Sequence, residues 1–321
     1  MDPAVLDSAV QRSPVNDDGR SGAALERVLL ADGSRVVVKR YDPEQDLVMR
    51  MLGDPRGREV DLWQSGFFDR LPSGIGHAIL GGWFDDDGLG VLVMRDLGDA
   101  VLSWHDRVSP AQSRTMFSGL AALHAGFLDD APGGLVPLSD NLSVFQPSRI
   151  APFAGNGLVD YALRGWELWP EVAPGEVGER VLALGLDTTP LEAAWARFPT
   201  TVLHGDAATV NMAFEPELTM IDWGLATAGP AEVDIGRLLA GCLHLFEESA
   251  DELLEVHRAA AGPSYDENAT RLGLLTGLVW LGWNKSLDII EHPTTEVRER
   301  ERTNLAWWLR QAELAFETGL I

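Results

Sequence analysis

The stretch VLHGDAATVNMAFEPELTMIDWGLATAG (residues 202–229) sets polar residues between short hydrophobic segments of β-strand character. Asp206 follows His-Gly, Asn211 comes shortly after it, and Asp222 lies within Ile-Asp-Trp-Gly. Short β-like runs surround them, at residues 201–204, 212–214 and 219–221. Buried polar groups destabilise a fold unless a partner satisfies them. We therefore expect all three in loops or at strand ends, where binding and catalytic residues are commonly located.

Two carboxylates and an amide in this order suit phosphoryl transfer. Mg²⁺ prefers hard oxygen ligands and takes one or two protein carboxylates together with phosphate oxygens and water. Asn211 and Asp222 are therefore the predicted metal ligands. Asp206 is the predicted catalytic base, which accepts a proton from a hydroxyl group. An Asp-x₄-Asn loop followed by a metal-binding Asp just before Gly is the arrangement that kinases use.

The N-terminal part of the chain shows β-hairpin patterns. Residues 23–42, AALERVLLADGSRVVVKRYD, predict two strands joined by Asp32-Gly33, and the second strand ends at Lys39. A second hairpin turns at the acidic segment of residues 85–88, which we interpret as a solvated turn rather than a metal site.

Two helices are predicted around these hairpins. Apolar residues recur at helical spacing in residues 54–72, with Glu59 near the start. A short helix is also expected from Val5 to Gln11.

From Pro110 onward the pattern is mainly helical, beginning with an amphipathic helix capped by Ser109. The sequence thus predicts an α+β, bilobal fold. We expect an N-lobe at residues 1–96, built on a small antiparallel sheet with one helix, and a larger, mainly helical C-lobe at residues 97–321.

Composition narrows the classes of partner. The formal net charge of −24 disfavours nucleic-acid binding and would attract cations. No apolar run is long enough for a membrane span and the start lacks a signal-peptide pattern, so we expect a soluble, cytoplasmic protein without membrane partners. Cys242 is the single cysteine, which excludes intramolecular disulfides and cysteine-based zinc sites. Only Lys39 and Lys285 among the 25 basic residues are lysines, which makes Lys39 notable.

The motifs in the second half resemble those of the aminoglycoside phosphotransferase family, small-molecule kinases with the protein-kinase-like fold. The segment from His204 through Asp206 to Asn211 resembles the family's catalytic loop, and Ile-Asp-Trp-Gly resembles its metal-binding segment. Asp234 matches the aspartate that follows at the next helix, and the resemblance implies that it braces the catalytic loop. His204 is expected to brace the loop as well, and His124, in LAALHAGF, to serve in packing.

The first half adds further matches, so that the resemblance spans roughly residues 20 to 310. It implies that Lys39 contacts the α- and β-phosphates of a nucleotide and that Glu59 is its helix partner. The segment VLVMRDLGD resembles the linker between lobes, which implies that the backbone of Arg95, Asp96 and Leu97 hydrogen-bonds the purine. A G-x-G-x-x-G loop is absent, and residues 16–25 offer only Gly19 and Gly22 for a phosphate loop.

The resemblance implies transfer of the γ-phosphoryl group of ATP or GTP, with Mg²⁺, to a hydroxyl of a small-molecule acceptor. An aminoglycoside or amino sugar fits the acidic charge, and a neutral sugar, a macrolide or an amino alcohol stays an alternative. A catalytically silent nucleotide-binding regulatory module and a metal-dependent phosphoesterase are the alternatives of other classes. Trp280, Trp283 and Asn284 recur at helical spacing, and we expect core packing there, with a sugar-stacking wall as the alternative.

Overall fold

The structure is a computed structural model that describes residues 3–15, 24–214 and 217–321. Its chain forms two compact units that alternate along the sequence. Unit 1 takes the described residues of 1–106 together with 132–135 and 209–224. Unit 2 takes 107–131, 136–208 and 225–321. The lobe boundary predicted after residue 96 stays a prediction.

The main sheet of unit 1 is antiparallel and, within the described residues, has five strands in the order β1-β2-β3-β6-β5. Its strands are β1 (Ala9–Pro14), β2 (Ala24–Leu30), β3 (Arg35–Arg40), β5 (Ile79–Phe84) and β6 (Gly90–Arg95). One face carries a buried apolar cluster: Leu6, Val28, Leu30, Val36, Val38, Val91 and Val93. Each such side chain contributes roughly 1.5–3 kcal/mol when fully buried, so this cluster holds the sheet together.

Both predicted hairpins are confirmed, and aspartates fix their turns. Asp32 Oδ1 accepts hydrogen bonds from the backbone N–H and the hydroxyl of Ser34, at 2.9 and 2.6 Å. In the second turn, Asp85 Oδ1 accepts the backbone N–H groups of Asp87 and Leu89 at 3.1 and 2.9 Å. These Asx turns set the register of the strands that follow.

Two helix predictions in unit 1 need correction. The helix expected from Val5 to Gln11 is present only in part, because a 3₁₀ helix at Pro3–Ser8 ends there and leads into strand β1, which pairs with β2. Pairing of the edge strand β1 with β2 outweighs the weak local preference of these residues for a helix. The helix predicted within 54–72, after its turn-forming start and through the apolar residues up to Phe68, is shorter than expected. It forms α2 (Arg58–Gln64), and Gly66, at φ +75°, separates it from a 3₁₀ turn at Phe67–Arg70. A further short helix, α1 (Leu47–Leu52), begins at the Asp46 cap.

A second, smaller sheet of unit 1 contains the hairpin from the stretch quoted first. Its described strands are β4 (Ile75–His77), β8 (Met212–Phe214) and β9 (Leu218–Met220), in the order β4-β9-β8. β8 and β9 are antiparallel, with Met212 opposite Met220, while β4 runs parallel to β9. The strands predicted at 212–214 and 219–221 are thus confirmed, the second one displaced by one residue.

Unit 2 is mainly helical, as predicted. Its helices in the described residues are α3 (Pro110–Gly126), α4 (Leu138–Leu142), α5 (Pro147–Ile150), α6 (Gly157–Val172), α7 (Glu176–Leu186), α8 (Thr189–Trp195), α9 (Glu232–Cys242), α10 (Ala250–Ala261), α11 (Glu267–Ile290) and α12 (Thr295–Glu317). A capping box of Ser109 and Gln112 begins α3, which confirms the predicted cap. Strand β7 (Thr201–Leu203) pairs with β10 (Thr227–Gly229).

Helix α11 is the centre of unit 2 and packs against α6, α9 and α12. α9 approaches it closely through glycines, since a Cβ on Gly236 would lie 1.9 Å from the carbonyl oxygen of Gly273. Lys285 of α11 is buried, 3.7 Å from Glu301 of α12. Burial lowers the pKa of Lys285, partly opposed by the charge of Glu301. This packing fixes the position of α9, which carries Asp234 and Arg237.

Across the described ranges, no helix combines the length and apolarity that a membrane crossing requires.

Candidate active site

Lys39 at the end of β3 is the centre of a charge cluster in unit 1. Its Nζ lies 2.6 Å from Glu59 Oε2 and 2.8 Å from Asp222 Oδ1. The Lys39–Glu59 ion pair expected from the sequence is therefore present, and Asp222 joins it. Burial alone would lower the pKa of Lys39, but Asp222 and Glu59 outweigh burial and raise that pKa well above its usual value. The lysine is a fixed cation beside the predicted metal ligand.

Glu59 is buried, with 1% of its surface exposed, and three donors satisfy its carboxylate. Oε2 accepts hydrogen bonds from Lys39 Nζ and from the hydroxyl of Tyr41, and Oε1 accepts the backbone N–H of Trp223 at 2.8 Å. Burial and the charge of Glu59 raise the pKa of Tyr41 well above its usual value, which keeps the hydroxyl protonated as a donor. Asp61, another acid on α2, instead pairs with Arg56 at the surface.

The Ile-Asp-Trp-Gly segment is held by contacts of the two residues that follow Asp222. Trp223 is fully buried and packs edge-on against Phe67 and Phe68, with ring centroids 5.5 and 5.7 Å away. Arg58 donates to the carbonyl of Gly224 at 3.2 Å. Asp222 itself adopts a left-handed backbone conformation, with φ +63°. Few non-glycine residues do so, and they are enriched at functional sites.

The β8–β9 hairpin brings Asn211 and Asp222 together. Asn211 directly precedes β8, Asp222 follows β9, and the backbone N–H of Ile221 donates to the carbonyl of Asn211 at 3.0 Å. An amide oxygen and a carboxylate at one end of a hairpin are hard donors that fit Mg²⁺. The described residues contain no cluster of three or more His, Cys, Asp or Glu side chains suited to a metal. This donor set fits a metal that takes most of its ligands from phosphate and water.

Among the linker residues, Arg95 ends strand β6 of the main sheet, and Asp96 and Leu97 follow it. The backbone N–H of Arg95 donates to the carbonyl of Ala78 at 2.8 Å, and Leu97 accepts from the backbone N–H of Ala100 at 3.0 Å. Asp96 pairs with Arg27 at 2.9 Å. Their contacts with a purine stay a prediction. Gly19 and Gly22, considered for the phosphate loop, lie outside the described residues.

Asp206 lies in unit 2, in the loop that follows β7 and that Asp234 holds. The Asp234 carboxylate is fully buried and accepts the backbone N–H groups of His204 and Gly205 at 2.8 and 2.9 Å. The bracing role implied for Asp234 is thus present in the structure. His124, for which packing alone was expected, also has its Nε2 3.2 Å from Asp234 Oδ2.

Gly205 must be a glycine. Its φ is +80°, and a Cβ there would lie 2.0 Å from the carbonyl oxygen of Leu225. The Gly before Asp206, where protein kinases usually have Arg, is therefore demanded by the backbone of this loop.

The carboxylate of Asp206 has a cationic partner that the sequence reasoning missed. Arg237 Nη2 lies 2.6 Å from Asp206 Oδ1. Arg237 follows Asp234 by three residues on α9, so both side chains lie on one helix face. Tyr41 was missed as well, although it follows Lys39 by two residues, the spacing that places strand side chains on one face. The three-residue spacing of Asp234 and Arg237 and the two-residue spacing of Lys39 and Tyr41 were the sequence signals for these two residues.

The chain is similar in sequence to a known protein family. A model of the phosphotransferase enzyme family matches residues 20–272, a shorter span than the resemblance read from the motifs. No curated protein matches the chain.

Solved structures with a similar fold include three kinases. Aminoglycoside-3'-phosphotransferase of type VIII has a TM-score of 0.52 at 20% identity, covering 84% of this chain and 93% of that one. Choline kinase LicA from Streptococcus pneumoniae has a TM-score of 0.55 at 12% identity, covering 96% and 95%. Aminoglycoside 2'-phosphotransferase-IIIa, solved as its GDP complex, has a TM-score of 0.50 at 14% identity, covering 97% and 94%.

At these identities the three structures show a shared fold alone, and they confirm the expected protein-kinase-like α+β fold. The family model covers most of the chain. The chain therefore belongs to the phosphotransferase enzyme family.

Proposed function

We propose that the protein is a small-molecule kinase that transfers the γ-phosphoryl group of ATP or GTP to a hydroxyl of a small acceptor. The observation that carries the proposal is the contact of Lys39 with both Glu59 and Asp222. A buried lysine held between a helix glutamate and the aspartate before Gly is the arrangement that orients nucleotide phosphates beside a metal ion in kinases.

The nucleotide side of the reaction is assigned to unit 1. Lys39 orients the α- and β-phosphates, and Glu59 keeps the lysine charged and in place. Asn211 and Asp222 would hold Mg²⁺, which supplies charge neutralisation for the phosphate oxygens when bound. The left-handed backbone of Asp222 and the buried Trp223 fix the carboxylate relative to Lys39. The backbone at Arg95, Asp96 and Leu97 is assigned to the purine.

Asp206 is the proposed catalytic base. It orients the acceptor hydroxyl and takes its proton, while the acceptor oxygen forms a bond to the γ-phosphorus. The bond from that phosphorus to the β,γ-bridging oxygen breaks, and the nucleoside diphosphate leaves with the bonding electrons. Because this transition state is loose, most of the rate acceleration comes from positioning and charge stabilisation rather than from strong base catalysis.

The acceptor class is the finer part of the proposal. An aminoglycoside or amino sugar is favoured, because the formal charge of −24 concentrates cations near the protein. The names of the structural neighbours support a cationic acceptor, since they include aminoglycoside phosphotransferases and a choline kinase. An amino alcohol, a neutral sugar or a macrolide is the alternative acceptor.

The test is an assay of nucleoside diphosphate release with Mg²⁺ and ATP or GTP. The acceptor panel contains aminoglycosides, amino sugars, amino alcohols, neutral sugars and macrolides, and mass spectrometry identifies the phosphorylated product. We expect acceptor-dependent release that Asp206→Asn reduces by several orders of magnitude while nucleotide binding persists. The matched control is Asp187→Asn, at an exposed aspartate whose Oδ1 accepts the backbone N–H of Thr189 at the start of α8.

Two results would replace the proposal. Mg²⁺-dependent nucleotide binding without release for any acceptor indicates a catalytically silent regulatory module. Hydrolysis of simple phosphate esters without nucleotide indicates a phosphoesterase.

A further inference from the structure

The ion pair between Arg237 and Asp206 is partly buried. The side chain of Arg237 is 13% exposed and that of Asp206 is 25% exposed, and the two atoms in contact are 2.6 Å apart. Pairs of this kind add little net stability, because the desolvation of two charges offsets their attraction. Stability alone is therefore a weak reason for an arginine at this position.

The guanidinium of Arg237 packs against Trp280 and beside Gly241 in unit 2. We call this packing site its seat. It lies over the ring of Trp280, with its central carbon 4.4 Å from the ring centroid. Gly241, one turn further along α9, leaves the space beside it: a Cβ there would lie 2.3 Å from Arg237 Nη1. Among the described residues, Nε and Nη1 are buried without a hydrogen-bond partner, so the contact with Asp206 is the guanidinium's polar anchor.

Two hydrogen bonds connect this seat to the loop that carries Asp206. Trp280 Nε1 donates to the carbonyl of Asn141 at 2.8 Å, and Asn141 Nδ2 donates to the carbonyl of Gly205 at 3.0 Å. These residues line a cavity of about 10 Å³ together with Arg237. The contacts form a closed ring, from Asp206 through Arg237, Trp280 and Asn141 to Gly205, the residue before Asp206.

We infer that Arg237, seated on Trp280, is a positioning residue that fixes the orientation of the Asp206 carboxylate for the acceptor hydroxyl. This inference rests on the proposed function, in which Asp206 is the base. It assigns Arg237 no contact with the reacting atoms. Asp234 already holds the backbone at His204 and Gly205, and Arg237 holds the side chain that follows.

Steady-state kinetics of Arg237→Met, Arg237→Lys and Gly241→Ala test the inference. Arg237→Met keeps an apolar stem on Trp280 and removes the cation, so we expect kcat to fall about 10–100-fold while KM for the nucleotide changes less than about threefold. Arg237→Lys should recover part of the loss, because it restores a cation without the planar fork. The control is Arg258→Met, which removes an exposed arginine that pairs with Glu267 on unit 2.

Gly241→Ala separates positioning from folding. Alanine is a better helix former than glycine, so the variant should keep or raise the melting temperature. Its methyl group displaces the guanidinium, and we expect a lower kcat in spite of the intact fold. A kcat within about threefold of wild type in both Arg237→Met and Gly241→Ala would overturn the inference. So would a loss of kcat that simply follows a loss of melting temperature.

A readout without catalysis separates this inference from the proposed function. Labelling of carboxylates by a carbodiimide and glycine ethyl ester, followed by mass spectrometry, reports how firmly Asp206 is held. We expect faster labelling of Asp206 in Arg237→Met and unchanged labelling in Arg258→Met; equal labelling in wild type and Arg237→Met overturns the inference. If wild type transfers phosphate to no acceptor, the proposed function fails, and the labelling still decides whether Arg237 holds Asp206.

Discussion

The backbone N–H of Trp223 donates a hydrogen bond to Glu59 Oε1 at 2.8 Å. The other oxygen of the same carboxylate accepts from Lys39 and Tyr41. One buried side chain therefore ties the lysine of β3 to the backbone directly after Asp222. Glu59 acts as a junction between the predicted phosphate-binding and metal-binding residues.

Glu59→Gln should destabilise the protein by roughly 3–5 kcal/mol. The amide leaves Lys39 with one anionic partner fewer, and breaking a buried ion pair from one side has costs of this size. Urea unfolding measures the change. Asp61→Asn on the same helix is the control, because the Asp61–Arg56 pair is about half exposed and should be worth less than about 1 kcal/mol. Equal losses in both variants would contradict the junction role.

Tyr41→Phe should cost about 1–2 kcal/mol of unfolding free energy. The substitution removes only the hydroxyl that donates to the Glu59 carboxylate, and hydrogen bonds to charged groups contribute on this order. Urea unfolding again gives the value. Tyr161→Phe, at a tyrosine that is 61% exposed, is the matched control and should be close to neutral. A neutral Tyr41→Phe would show that Lys39 and Trp223 suffice to satisfy Glu59.

Asp222→Asn and Asp222→Ala should differ in folding stability, but both should impair Mg²⁺-dependent nucleotide binding. Asparagine tolerates the left-handed backbone of this residue better than alanine, so the alanine variant should be less stable by about 1 kcal/mol. Both variants should lose Mg²⁺-dependent thermal stabilisation by ATP or GTP. An alanine variant with the full Mg²⁺ effect would exclude Asp222 as a metal ligand, whereas asparagine still offers an amide oxygen to the metal.

Because His257 is buried, we expect the protein to lose stability in acid. It is buried in α10, with its ring centroid 6.0 Å from that of Phe117, and burial together with the charge of His124 lowers its pKa to about 4 from 6.5. Between these values the unfolded chain binds the proton and the folded chain does not, so stability falls as the pH falls through this window.

His257→Phe should flatten this dependence, by up to about 3 kcal/mol between pH 7 and pH 4. Urea unfolding at several pH values measures the slope for each variant. His105→Phe is the control for the loss of an exposed histidine. A wild-type slope in His257→Phe would assign the acid sensitivity to other groups.

Local signals in the sequence predicted much of the fold. Asp32-Gly33 and the acidic turn at 85–88 specified two hairpins, and Ser109 specified the start of α3. Each of these signals is local, because a side chain contacts the backbone a few residues away. The helix expected from Val5 to Gln11 ends early, after the 3₁₀ helix at Pro3–Ser8, because the following residues pair with β2 as a strand.

At the site, too, some contacts could be predicted from the sequence, and contacts between distant segments could not. The resemblance to the family implied the Lys39–Glu59 pair and the bracing by Asp234, because both residues match positions of its motifs. The pairing of Arg237 with Asp206, and the seat that Trp280 provides, join segments far apart in the chain through side-chain packing. Trp280 was expected to pack in the core and does so at 5% exposure, but its contact with a guanidinium has no local signal.

The β8–β9 hairpin has a consequence for the recognition of related chains. Asn211 and Asp222 lie at its open end, and the connection between Phe214 and Leu218 lies at the other. Lengthening that connection would change the number of residues between Asn211 and Asp222 without moving either one. Removing a single residue from either strand would reverse the faces of all side chains beyond it. A search for relatives should therefore hold the strand lengths constant and allow the interval between the two residues to vary.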